Sequence, residues 1–221
     1  ETVSVPTDKD GCMDLAAFKA NLNKDVAAVM LTCPNTLGLF ELNIKEICDA
    51  AHKVGALVYY DGANLNAILG KARPGDMGFD IVHVNLHKTF GTPHGGGGPG
   101  AGPVGVRQDL IELLPIPRVV ERTDGTYALN YNKPRSIGYM APFYGNFGVI
   151  LKTYAYIMFL GAKGLIEASE YAVLNANYCR AVLKKYFDVP YNRTCMHEFV
   201  ICADRQKEKG ASALDIAKYL I

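Results

Sequence analysis

Residues 79–106 read FDIVHVNLHKTFGTPHGGGGPGAGPVGV, and the fold is decided within them. Residues 79–84 are apolar and β-branched, the signature of a short buried strand, so Lys88 falls just past that strand's C-terminal end. In open α/β sheets this is the edge where ligands bind. A lysine held there and partly desolvated is a candidate nucleophile toward a carbonyl, the chemistry of a Schiff-base lysine. After the glycines, residues 102–106 form a second short apolar run. It lies too close to the first for a helical crossover and is expected to return antiparallel.

Upstream, the same texture repeats. Residues 26–31 and 56–60 are apolar runs with strand character, and residues 2–5 look like a further strand before the turn signal at 8–11. Asp14 is placed to cap an amphipathic helix through Asn21 with Leu15, Phe18 and Leu22 on one face, and a second helix is expected from Asn43 to about Val54. Strand alternating with helix predicts an α/β fold, a mostly parallel sheet with one antiparallel strand. Past Leu114 the texture changes, with Pro115 and Pro117 followed by a polar, tyrosine-containing stretch up to Pro142. The expected boundary therefore divides a large domain, residues 1–142, from a smaller α+β domain, residues 143–221. The second is expected to hold long helices over 147–160 and 164–186, a strand at 199–202 and a last helix at 213–220.

Composition narrows the class of partner. The 221 residues carry 23 basic and 22 acidic side chains, a formal net charge of +1, so no global field recruits nucleic acid or an anionic membrane. The longest apolar stretch, 147–160, contains Lys152 and falls short of the roughly 18 residues of a membrane span, so a buried helix is expected there. Six scattered cysteines without a CxxC pair predict reduced thiols in an intracellular protein. The polar opening ETVSVPTDKDG predicts no secretory leader, and the missing initiator methionine suggests a fragment or processed subunit.

Three predicted strand ends converge on one sheet edge: residues 32–35, 60–63 and 85–88. Asp61 sits there, where a carboxylate is costly unless it meets a cation or donors. A protonated pyridine nitrogen is such a partner. Asp61, Lys88 and the small Ala63 together match what pyridoxal 5′-phosphate (PLP) needs: a lysine for its aldehyde, a carboxylate for its ring nitrogen, and room for a flat ring. Asp61 as a helix cap and Lys88 as a solvated lysine are the plain alternatives for each residue alone. Gly95, Gly96, Gly97 and Gly98, bounded by Pro93, His94 and Pro99, suggest close backbone approach or a loop that moves over a ligand, although a flexible linker has the same composition. Neither GxxxxGK[ST] nor GxGxxG occurs in the required context, so nucleotide binding is weakly supported. His83, His87 and His94 are close in sequence but lack helical i,i+4 geometry, which disfavours a metal site. His87, beside the lysine, is a candidate for phosphate contact or proton transfer, whereas His52 is expected at the surface.

The strings TCPNTLGLFE (32–41), YYDGANLNAILG (59–70), RPGDMGFD (73–80) and NLHKTFGTPHGGGGPGAGPVGV (85–106) resemble the P-protein family of the glycine cleavage system, the decarboxylating glycine dehydrogenases. FYGNFGV (143–149) and AVLNANY (172–178) extend the likeness toward the C-terminus, so it covers nearly the whole chain, and within the family the likeness is to the C-terminal half or second subunit of the split bacterial form. The resemblance implies a fold-type-I PLP enzyme with Lys88 as the Schiff-base lysine, Asp61 as the partner of the pyridine nitrogen, Asn35 near the cofactor, and His87 and Thr89 as phosphate or active-site contacts. It further implies decarboxylation of glycine, transfer of the aminomethyl group to the lipoyl arm of H-protein, and an oligomer built with an N-terminal half or subunit 1. The ring-stacking residue and the phosphate-binding helix N-terminus are then expected upstream of Glu1, in a protein of the bacterial or archaeal cytoplasm or the mitochondrial matrix. For the residue that takes the substrate carboxylate, Arg118, Arg122 and Arg135 are candidates by charge alone. Two competing readings remain: another fold-type-I enzyme, such as a cysteine desulfurase or amino-acid decarboxylase, and a non-catalytic or truncated interaction subunit.

Overall fold

The structure is a computed structural model that describes residues 1–140 and 145–221. The expected domain boundary at 142/143 and the start of the FYGNFGV string lie outside the described residues. The first half alternates helix and strand: α1 (Leu15–Asn21), β1 (Ala28–Thr32), α2 (Ile44–Lys53), β2 (Leu57–Asp61), the 3-10 segment Gly62–Ala67, α3 (Pro74–Met77), β3 (Ile81–His83), α4 (Leu86–Thr89) and β4 (Val104–Val106). The four strands form one sheet in the order β1-β2-β3-β4. β1 pairs in parallel with β2 and β2 with β3, while β4 returns antiparallel to β3, as the short connection requires.

Local chemistry explains the elements. Asp14 accepts the Ala17 N–H at 2.9 Å and so caps α1. Ile44, Ile47, Cys48 and Ala51 on α2 recur at helical spacing and are all buried. They pack with Phe18, Val58, Tyr60, Ile68 and Phe79 into a core under one face of the sheet. Tyr60, fully buried, satisfies its hydroxyl by donating to the Cys33 carbonyl at 2.6 Å and meets Phe79 edge-on with ring centroids 4.9 Å apart. Burial also pushes the Cys33 thiol up to about 12 and the Cys48 thiol to about 11, so both remain protonated packing groups.

The second half begins with the 3-10 segment Gln108–Leu113 and a hairpin, β5 (Arg118–Glu121) and β6 (Tyr127–Asn130), which the sequence reading passed over as a polar stretch. Its signal was present: Asp124-Gly125 stands between two short alternating runs, with Gly125 at φ +79° and Asp124 accepting from the Thr126 N–H. α5 (Phe147–Leu183) follows, broken at Gly161 by a non-helical φ of 61° and ψ of −177°, so the two expected helices exist as arms of one broken rod. α6 (Asp204–Lys207) and α7 (Ala213–Tyr219) complete the chain.

Three expectations need correction. Residues 2–5 form no strand, and the segment contributes an isolated bridge between Thr7 and Met13 because no strand partner lies alongside it. Residues 199–202 contribute only the bridge of Cys202 to Asp188. Residues 147–160 are not buried: Val149 and Thr153 face inward, whereas Leu151, Tyr154, Met158 and Phe159 are exposed.

Candidate functional site

The in-register parallel strands bring the chemistry together. Thr32 aligns with Asp61, and Tyr60 aligns with Val82, so Asp61 at the end of β2 stands beside His83 at the end of β3. Because side chains alternate across a strand, Tyr59 and Asp61 occupy the face opposite the buried Val58 and Tyr60. The approach of β2 to β3 here depends on Gly62, where a Cβ would fall 1.7 Å from the His83 carbonyl oxygen.

Asp61 is half-buried, and its Oδ1 accepts the Ala63 N–H at 2.9 Å, which fixes the turn into the 3-10 segment. The plain expectation for Asp61 therefore holds: Oδ1 caps the 3-10 segment, while Oδ2 carries no hydrogen bond among the described residues. Lys88 and His87 do not lie in a loop. They sit on α4, a single turn that starts immediately after the strand. Lys88 is exposed rather than partly desolvated.

The same turn holds several polar atoms in want of partners. Thr89 and Thr92 are buried, and their hydroxyls, like His87 Nδ1, have no hydrogen-bond partner among the described residues. Burial lowers the His87 imidazole, and the neighbouring His94 ring and the Lys88 ammonium lower it further, so it stands neutral. His94 packs edge-on to His87 with centroids 4.0 Å apart, and its Nδ1 accepts the Gly97 N–H at 3.0 Å. Gly95, Gly96 and Gly97 follow with three successive positive φ values of 64°, 65° and 101°. A Cβ on Gly96 or Gly97 would meet nothing within 4 Å, so backbone conformation rather than crowding requires glycine there.

Asn35 is placed differently. Its amide donates to the Gly11 carbonyl at 2.8 Å and its Oδ1 accepts the Leu37 and Leu39 N–H groups, so the side chain shapes the loop after β1. That loop in turn receives a segment from the far end of the chain. Gly38, at φ +77°, lies so close to residue 198 that a Cβ would fall 1.8 Å from the Glu198 carbonyl oxygen, and Met196 N–H bonds the Gly38 carbonyl at 2.7 Å. His197 is delivered by this contact, and sequence reasoning missed it because 109 residues of chain separate it from Lys88 without a motif. Burial lowers the His197 imidazole; the Glu198 carboxylate, 3.4 Å from Nε2, opposes that, and the Lys88 ammonium adds to it. His197 Nδ1 is a further buried atom without a partner among the described residues. Arg118 is engaged elsewhere, donating to the Leu114 carbonyl at 3.2 Å with Glu112 at 3.9 Å. His52 is exposed, as expected, and its Nε2 donates to the buried Asp80 Oδ2 at 2.9 Å.

A lysine, a carboxylate with a free oxygen and a set of unpartnered hydroxyl and imidazole atoms on one sheet edge suit a phosphorylated aldehyde with a basic ring nitrogen. Comparison with known proteins agrees. A family model described as glycine cleavage system P-protein matches residues 2–127. The chain belongs to the P-protein family of the glycine cleavage system. A probable glycine dehydrogenase (decarboxylating) subunit 2 from Treponema denticola is 60% identical over 222 residues, and one from Caldanaerobacter subterraneus is 57% identical over 221. Each alignment takes in 100% of this chain but 46% and 45% of the relative, so the chain spans about half the length of these P-protein relatives. Among solved structures, a sphingosine-1-phosphate lyase from Burkholderia pseudomallei superposes with a TM-score of 0.61 at 13% identity, covering 88% of this chain and 44% of the lyase. An apo cysteine desulfurase from Thermococcus onnurineus gives 0.58 at 18% identity, covering 83% and 44%. These likenesses establish the fold-type-I architecture of this P-protein chain.

Proposed function

We propose that the chain is the lysine-bearing part of a PLP-dependent glycine decarboxylase, which releases CO2 from glycine and passes the remaining aminomethyl group to the lipoyl disulfide of H-protein, reducing it. The observation that carries this reading is the delivery of Asp61 and Lys88 to one edge by in-register parallel strands, in a chain of this family. When bound, PLP supplies an electron sink for the bond that breaks as CO2 departs.

The chain's own residues then have separable tasks. Lys88 Nζ would hold the cofactor through its aldehyde carbon. Asp61, through Oδ2, would partner the protonated pyridine nitrogen. Ala63 leaves space for the ring, and the hydroxyls of Thr89 and Thr92 with the neutral His87 offer hydrogen bonds to cofactor oxygens. His197, whose imidazole is lowered by burial and further by the Lys88 ammonium, is a second candidate for proton exchange at the lysine amine. The glycine loop at 95–98 is exposed, and on this reading it gates entry of the lipoyl arm. The ring-stacking residue and the phosphate-binding helix N-terminus are assigned to the part of the subunit 2 relatives that this chain does not span, with a complementary subunit 1 as partner, in keeping with relatives named subunit 2.

The test is spectroscopic. The full-length subunit assembled with its complement and PLP is expected to show an imine absorbance band, and borohydride reduction is expected to leave a phosphopyridoxyl mass on the peptide containing Lys88. Lys88→Ala should abolish both. A wild-type assembly without the band, or with the label on another lysine, would end this reading.

A further inference from the structure

Asp61 does not hold its position alone. His83 Nε2 lies 3.4 Å from Asp61 Oδ1 and 3.1 Å from Asn85 Oδ1, while His83 Nδ1 lies 2.8 Å from the Tyr59 hydroxyl. Two acceptor oxygens face Nε2, so the partners assign the proton to Nε2 and leave Nδ1 to accept from Tyr59. The imidazole is thereby held between a phenol that fixes its tautomer and the Asn85 side-chain oxygen that accepts its N–H, with Asp61 Oδ1 3.4 Å from the same nitrogen as a polar contact. Burial and the Asp61 charge both raise the Tyr59 phenol, which keeps it a donor. The geometry is built into the backbone, because Gly62 lets the end of β2 press against the His83 carbonyl.

We propose that His83, backed by Tyr59, is a positioning residue for Asp61: it orients Oδ1 so that the carboxylate presents Oδ2 to the cofactor's pyridine nitrogen. This rests on the PLP reading above. It adds a division of labour within one carboxylate, with Oδ1 anchored by Ala63 N–H and His83 and Oδ2 left for the ligand. A polar N–H beside a carboxylate stabilises its charged form, so its loss should be measurable at the ring nitrogen.

The experiment uses the assembled holoenzyme loaded with PLP labelled with 15N at the pyridine position, without substrate. The readouts are the solid-state 15N shift of that nitrogen and the PLP dissociation constant. Wild type should show a pyridinium shift. His83→Phe should move it toward the unprotonated ring and weaken PLP binding about tenfold, the scale of one pKa unit of differential interaction at the ring nitrogen. His83→Gln, whose amide can reach Asp61, should restore most of the pyridinium signal. A merely structural histidine would lower stability without moving the 15N shift. If His83→Phe does not fold, Tyr59→Phe decides, since it keeps the imidazole and removes only the donor behind it; a displacement in the same direction is expected. An imine band in wild type together with an unmoved 15N shift in the variants overturns the His83 assignment alone. No imine band in wild type overturns the cofactor reading, and this proposal with it.

Discussion

Asp80 is the residue on which the sheet is hung. It is 4% exposed, and every side of its carboxylate is met: Oδ2 by the Val58 N–H at 2.7 Å and His52 at 2.9 Å, Oδ1 by the Arg107 guanidinium at 2.6 Å. Its backbone joins β2 through the Val58 carbonyl and receives the Arg107 N–H, so one residue ties α2, β2 and the chain leaving β4. Burial alone would raise this carboxyl, but the Val58 N–H, His52 and Arg107 hold it below the ordinary value near 3.8. A carboxyl depressed in the folded state contributes stability that is present above the unfolded value and is lost as pH falls through the folded one. Asp80→Ala leaves Arg107 and the Val58 N–H without their partner and should cost about 3–5 kcal/mol at neutral pH by urea denaturation. The gap to wild type should narrow as pH drops below about 3.8; a gap independent of pH would show that Asp80 acts by packing alone. The sequence did not disclose this role, since an acid before an apolar run looks like any turn residue.

At the scale of elements, the parallel strands were legible because each is a continuous apolar run followed by a polar turn, and β4 was legible because a connection so rich in glycine and proline cannot hold a crossover helix. α4 was not, because a single turn such as Leu86–Thr89 has too few residues to show a period, and its start is set by the end of β3. For the same reason Lys88 and Asp61 could be placed on one edge from sequence, while His83 and His197 could not: their roles depend on strand register and on a contact between distant segments. Gly38 makes that contact. With φ at +77° and the Glu198 carbonyl 1.8 Å from the position of a Cβ, Gly38→Ala must displace the 195–198 segment. The backbone strain alone is about 1–2 kcal/mol. Released from burial and from Lys88, the His197 imidazole should titrate closer to 6.5 than in wild type, upward from its depressed value. Histidine NMR titration of both proteins checks this, and an unmoved His197 resonance would show that the segment is held without Gly38.

For the whole molecule, the decisive feature is the apolar surface of α5. Its buried stripe is narrow, consisting of Val149, Thr153, Ser169 and Ala176, while Phe147, Leu151, Tyr154, Met158, Phe159 and Tyr178 stand out into solvent, Phe159 at 88% exposure. By length and composition this helix could cross a membrane. The break at Gly161 argues otherwise, since the arm before it is 14 residues, about 21 Å at 1.5 Å per residue, against roughly 30 Å of hydrocarbon. An exposed apolar surface of this kind on a water-facing chain marks a protein contact, in keeping with a chain that spans about half the length of its relatives. The 221-residue chain by itself should therefore self-associate with rising concentration in size-exclusion chromatography and bind a hydrophobic dye. Leu151→Lys combined with Phe159→Lys places charge on the exposed face without touching Val149 or Thr153, and should shift the chain toward monomer and reduce dye binding several-fold. A wild-type chain that elutes as a monomer at all concentrations and binds no dye would show that this face needs no cover.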